Sequence, residues 1–259
     1  MSSNNNMQTS YHNEYSHKLG RNMEYKVYGH KGKPVLVFPT SKGRFYQYED
    51  FGMIHALSRF INDGTIQLWA ADGIDWETFF SDNWNSWDKI ARIKRHEQYF
   101  SYINEELIPA ILQTSQYNNG GQEQQLLLTG CSMGAYHSAN FYFRYPWSVD
   151  TVIALSGVYS TNYFFGDYKP TEIYLNSPID YLKGNQDGYY VDKFRKSKLI
   201  FCCGHGAYEA PMLNETYALK SVLEAKDIPA WFDFWGTDSK HDWDWWQKQI
   251  VYFMEKALV

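Results

Sequence analysis

Residues 130–134 read Gly-Cys-Ser-Met-Gly, directly after Leu-Leu-Leu-Thr (126–129) and ahead of small, helix-compatible residues. A serine hydroxyl placed between two glycines, where a strand turns into a helix, can attack a carbonyl carbon. The glycines permit a sharp turn and close packing, so that the hydroxyl of Ser132 projects from the end of the strand. The next amide, on Met133, falls at a helix N-terminus, where an unbonded N–H and the helix dipole can hold an oxyanion. The competing reading is an ordinary turn, since Gly and Ser favour turns for conformational reasons alone. The flanking strand and helix patterns are what favour chemistry.

A serine hydroxyl needs a base. In strand–turn–helix sites of this kind the partners follow in the order Ser, acid, His. That order excludes His12, His17, His30, His55 and His96. His137 lies five residues into the same helix, about 140° around its axis, and should face away. His205 and His241 remain. His241 follows the last strand and the turn GTDSK, just ahead of the final helix, and is the expected base. His205 lies in the loop CCGHGAYEAPML, where the acid belongs. The only carboxylate there is Glu209. It is the expected acid, accepting the imidazole N–H; its competing reading is a favourable charge at the N-terminus of the next helix. Asp238, three residues before the base, is the alternative acid. A second oxyanion amide should come from FPTSKGRF (38–45), at Thr40 or Ser41, with Ser41 preferred.

Other candidates carry less. His205, Asp238, His241 and Asp242 match no standard metal-ligand spacing, so neither a metal nor another cofactor is expected. Cys131 should point into the core. The aromatics of HDWDWW (241–246) read as the packed start of a helix before they read as a substrate wall. RIKRH (92–96) reads as a solvated helix face, and Asp72 as a residue that holds a loop.

The elements that would position these residues alternate. MEYKVYG (23–29) and PVLVF (34–38), separated by HKGK, suggest an antiparallel hairpin. IQLWAAD (66–72), LLLTG (126–130), TVIALSG (151–157), LIFCCG (199–204) and AWFDFWG (230–236) are further short buried runs. Helical spacing marks 89–112, where Pro109 should kink or end the helix, then 134–146, 211–226 and a last helix from about 243. Residues 113–124 read as a polar loop. The pattern predicts an α/β domain: a mostly parallel central sheet with an N-terminal antiparallel hairpin and helices on both faces. No linker divides the chain, so residues 1–259 are expected to form one domain. Residues 1–20 form a polar N-terminal tail, and 161–197 an irregular insertion able to cap the site in part.

Bulk properties bound the partners. The chain has 259 residues, a formal net charge of −5 and no basic run, which argues against nucleic acid. Three cysteines, two of them adjacent, do not make a disulfide framework. No apolar run is long enough to span a bilayer, and the polar start lacks a secretory pattern, so a cytoplasmic location and no membrane partner are expected. Oligomeric state is not legible.

Five stretches carry a resemblance: LGRNMEYKVYGHKGKPVLVFPTSKGRFYQYEDFGM (19–53), RHEQYFSYINEELIPAI (95–111), GCSMGAYHSANFYFRYP (130–146), GAYEAPML (206–213) and IPAWFDFWGTDSKHDWDWWQKQI (228–250). Together they resemble the putative esterase family of α/β hydrolases, the group of esterase D and the antigen 85 mycolyltransferases, in a bacterial uncharacterised branch. The resemblance implies the α/β-hydrolase fold, with Ser132 as nucleophile, Glu209 as acid and His241 as base. Where the family pattern carries an acidic pair, this chain has Glu209-Ala210. The expected activity is that of a serine carboxylester hydrolase working through an acyl-enzyme on a small or medium ester, without a cofactor. Acyl transfer within the same family, or a binding module with an idle triad, are the alternatives.

Overall fold

The computed structural model describes residues 7–81, 89–185 and 187–258. Residues 1–6 of the expected tail and residue 186 of the expected insertion lie outside the described residues. Eight strands form one sheet: β1 (Thr9–Ser16), β2 (Arg21–Tyr28), β3 (Lys33–Phe38), β4 (Ile66–Ala71), β5 (Leu126–Cys131), β6 (Val149–Leu155), β7 (Lys198–Gly204) and β8 (Trp231–Trp235). Their order across the sheet is β1-β2-β4-β3-β5-β6-β7-β8. β1 pairs antiparallel with β2, and β2 antiparallel with β4; all later pairings are parallel.

The parallel strands are apolar on both faces, as strands covered on both sides must be. Leu36, Phe38, Leu126, Leu128, Val152, Ala154, Leu199 and Phe201 pack on one side. They meet helices α1 (Lys89–Tyr102), α2 (Ile108–Asn118), α3 (Met133–Arg144) and α4 (Ala210–Glu224). Val35, Val37, Leu127, Cys131, Ile153, Leu155, Ile200 and Cys202 face the other way, against residues 48–61 and helix α5 (Trp243–Ala257).

Five expectations need correction. The hairpin is β1–β2: MEYKVYG and PVLVF do not pair, because β4 inserts between them. The polar tail therefore contains a strand. β1 has no apolar alternation to announce it, being exposed at most positions. It is held by the β2 ladder and by cross-strand contacts: Tyr11 Oη donates to Glu24 (2.7 Å), Tyr25 Oη donates to Glu14 (2.9 Å), and His12 stacks on Tyr25. Pro109 does not end the helical run. A π-helical turn at Ile103–Leu107 precedes it, and Pro109 sits in the first turn of α2, where a missing N–H costs nothing. The helix accordingly runs on to Asn118, through much of what reads as a loop. Finally, 161–197 is largely helical, with short helices at Asn162–Phe165, Thr171–Tyr174, Pro178–Gly184 and Gly188–Arg195.

Candidate active site

β5 ends at Cys131 and α3 begins at Met133, so the whole reversal falls on Ser132, whose φ and ψ are 56° and −118°. A non-glycine residue held there stores on the order of 1–3 kcal/mol of strain, which the packing around it must offset. The two glycines make that packing possible. A Cβ on Gly130 would run into the backbone of Gly134, and one on Gly134 into the carbonyl of Phe38 at the end of β3. The Ser132 N–H donates to Leu155 O (2.8 Å), which fastens the turn to β6.

The structure brings the expected base and acid to this serine. Ser132 Oγ lies 2.9 Å from His241 Nε2, and His241 Nδ1 lies 3.3 Å from Glu209 Oε2. The three side chains come from the C-terminal ends of β5, β7 and β8, where sites in parallel sheets are built. Glu209 is fully buried; it stands at the N-cap position of α4, but its side chain makes no capping hydrogen bond. Its Oε1 accepts from Ser156 Oγ (2.7 Å), and its Oε2 also lies near Cys203 Sγ (3.5 Å). The base loop is locked onto the acid loop: His241 N–H donates to Ala207 O (3.0 Å), and Gly206 leaves no room for a Cβ against Ser239. Asp238 is exposed and makes no bond to His241. His205, Asp238, His241 and Asp242 do not converge: among the described residues no three His, Cys, Asp or Glu side chains gather in a metal-binding group.

Trp246 is part of the support that sequence reasoning missed. Its indole N–H donates to Ser156 Oγ (3.1 Å), which in turn donates to Glu209, and its ring meets the His241 ring edge-on at 4.8 Å. Trp246 thus touches His241 directly and reaches Glu209 through Ser156. Ser156, like Ser132, is held at positive φ (53°) at the end of its strand. Only the position directly after an apolar strand could have marked it.

A cavity of about 280 Å³ opens beside Ser132. Ser41 and Met133 line it together with Phe80, Val158, Phe164 and Met212. The Met133 and Ser41 amides have no partner among the described residues, whereas the Thr40 N–H donates to Gln47 Oε1 (2.9 Å). Asp72 is buried and holds the same loop from below, accepting from Arg44 Nε (2.7 Å) and Phe45 N–H (3.1 Å). Burial pushes its carboxyl above the ordinary aspartate value, against the opposing pull of Arg44. RIKRH is not a free solvated face. Arg92 donates to the carbonyls of Thr78 (2.7 Å) and Phe79, and Arg95 to Glu77 (2.7 Å), fixing the segment that carries Phe80.

An eight-stranded, mostly parallel sheet with an elbow serine at the tip of β5 defines the α/β-hydrolase fold. The sequence profile of the family described as "Putative esterase" matches residues 16–254, and the chain belongs to that family of ester hydrolases. A sequence search of curated proteins finds no match. Among solved structures the chain is similar to a ferulic acid esterase at TM-score 0.73 and 15% identity, covering 97% of this chain and 98% of that one. It is similar to an S-formylglutathione hydrolase from Staphylococcus aureus at TM-score 0.65 and 15% identity, covering 98% and 97%. It is also similar to MPT51 from Mycobacterium tuberculosis at TM-score 0.67 and 13% identity, covering 96% and 98%. At these identities the likeness is one of fold. No helix among the described residues is long and apolar enough to cross a membrane.

Proposed function

We propose that the protein hydrolyses carboxylic esters through Ser132 as nucleophile, His241 as base and Glu209 as acid. The observation that carries this reading is the relay from Ser132 Oγ to His241 Nε2 (2.9 Å) and from His241 Nδ1 to Glu209 (3.3 Å). As the Ser132 oxygen bonds to the ester carbonyl carbon, its proton passes to His241 Nε2. Glu209 holds the Nδ1–H tautomer and stabilises the imidazolium. The carbonyl oxygen, now an anion, is held by the N–H groups of Met133 and Ser41; Thr40 has spent its own on Gln47. Collapse expels the alcohol, which takes the proton from His241, and leaves an acyl-enzyme. Water, giving its proton to His241, then releases the acid and restores Ser132.

The acyl side lies in the cavity beside Ser132, whose walls include Phe80, Val158, Phe164 and Met212. Phe164 comes from 161–197, which serves as a partial cap. An apolar or aromatic acyl group suits these walls better than a charged one, because a charge would lose its hydration without a partner. A single domain acting in the cytoplasm without a cofactor completes the proposal.

Ser132→Ala tests it. Hydrolysis of p-nitrophenyl esters should fall at least about 10³-fold, as loss of a triad nucleophile does. Labelling by a fluorophosphonate should vanish, while the circular dichroism spectrum stays that of the wild type. An idle module would leave the wild-type serine unlabelled, and a Ser132→Ala variant that kept its activity would remove the nucleophile assignment.

A further inference from the structure

The loop that offers the Ser41 amide is held in an unfavourable shape. Gly43 N–H donates to Thr40 O (2.9 Å), closing a turn over 40–43. Lys42, at its third position, has φ 59°, the left-handed conformation that such a turn ordinarily reserves for Gly or Asn. Something outside the turn must hold it there.

Two neighbouring residues grip the Lys42 backbone. Its N–H donates to Asp75 Oδ2 (3.2 Å), and its carbonyl accepts from Trp76 Nε1 (3.2 Å). Asp75 is almost fully buried, and its other oxygen accepts from the equally buried His137 Nε2 at 2.9 Å. His137 is the histidine in the serine's own helix that the triad does not use. It lies on the second turn of α3, about 7.5 Å along the axis from Ser132. The helix that begins with the Met133 amide thus carries the residue that fixes Asp75, and Asp75 fixes the turn that carries the Ser41 amide. Both donors of the oxyanion site are referred to one rigid element.

We infer that Asp75, held by His137 and assisted by Trp76, is the positioning residue of the oxyanion site. It keeps Lys42 in the left-handed conformation that presents the Ser41 N–H to the cavity beside Ser132. The inference rests on the proposed Ser132 chemistry. The same Asp75 segment continues into Phe80, whose N–H donates to Asp75 O (2.9 Å), so the oxyanion turn and one wall of the acyl cavity are set together.

The experiment compares wild type, Asp75→Ala, Asp75→Asn and the double variant Asp75→Ala/Lys42→Gly on p-nitrophenyl acetate, with the rate of fluorophosphonate labelling measured in parallel. Asp75→Ala should lower kcat about 10- to 100-fold, the scale of a misplaced or lost oxyanion donor, with KM within about twofold. Labelling should slow by a similar factor, because phosphonylation also places charge on that oxygen. Asp75→Asn keeps an acceptor for the Lys42 N–H, and its NH2 can donate to His137 Nε2 once the imidazole carries its proton on Nδ1, so most of the rate should be recovered. Lys42→Gly should rescue Asp75→Ala by about fivefold or more, because glycine adopts the turn unaided; a general loosening of the core would not respond. If Asp75→Ala does not fold, exposed Trp76→Phe, which removes only the indole N–H, carries the test with a loss of about three- to tenfold in kcat at unchanged KM. A folded Asp75→Ala with kcat and labelling within twofold of wild type overturns the inference, as does a loss that Lys42→Gly leaves untouched or a silent Trp76→Phe. A wild type that neither turns over nor labels would instead overturn the Ser132 reading on which it stands.

Discussion

Glu209 accepts bonds on both carboxylate oxygens inside a fully buried pocket, so its charge is committed to its neighbours. Glu209→Gln keeps the volume but replaces one accepting oxygen by an NH2 group. Either Ser156 or His241 would then meet a donor where it needs an acceptor. We expect kcat to fall about 10²- to 10⁴-fold with little change in KM, since the acid serves the imidazolium that forms during reaction. Asp238→Asn, at an exposed position away from His241, should stay within about twofold of wild type. Steady-state kinetics of the two variants side by side decide between the acids. A crippled Asp238→Asn beside a normal Glu209→Gln would reverse the assignment.

At the scale of elements, the elbow depends on how closely α3 approaches β3. A Cβ on Gly134 has nowhere to go except into the carbonyls of Phe38 and Pro39. Gly134→Ala should therefore lower stability by about 1–3 kcal/mol, the usual cost of overpacking, and lower kcat as the helix start is pushed away from Ser41. Thermal unfolding and turnover measured together check this; an unchanged Tm with unchanged kcat would show that the elbow has slack. The neighbouring strand end shows the same economy. Ser156 carries no reacting atom, yet its strained backbone at the tip of β6 lets one hydroxyl join Trp246 to Glu209.

For the molecule as a whole, both faces of the central strands are closed over, and all three cysteines are buried there. Burial pushes the Cys131 thiol up to about 12, despite its contact with Tyr48 (3.4 Å), and raises Cys202 and Cys203 as well. At pH 8 a thiol with that value is about 10⁻⁴ thiolate, and only the thiolate reacts. Native protein should give essentially no colour with Ellman's reagent at pH 8, and three equivalents after unfolding in guanidinium. Prompt reaction of any thiol in the native state would mean that the sheet around β5 and β7 opens readily.

Much of the candidate site was legible because the arrangement is tied to local order. Glycines at 130 and 134 flank a serine between a strand and a helix, and chain order alone pointed to Glu209 and His241. The buried strands were legible for a related reason: a strand covered on both faces must be apolar throughout. β1 escaped notice because an exposed edge strand is stabilised by its ladder to β2 and by polar cross-strand pairs, which leave no periodic apolar signal. Arg92 and Arg95 were misread because a charged side chain on a helix looks the same in sequence whether it meets water or a carbonyl. Only the tertiary structure could decide that Thr40 gives its amide to Gln47, that Trp246 and Ser156 brace Glu209, and that His137 reaches Asp75 under the turn at 40–43. Each of these is a contact between residues far apart in the chain or on different elements. Their partners are chosen by the packing of the sheet and its helices, and no local preference of the residues involved encodes that choice.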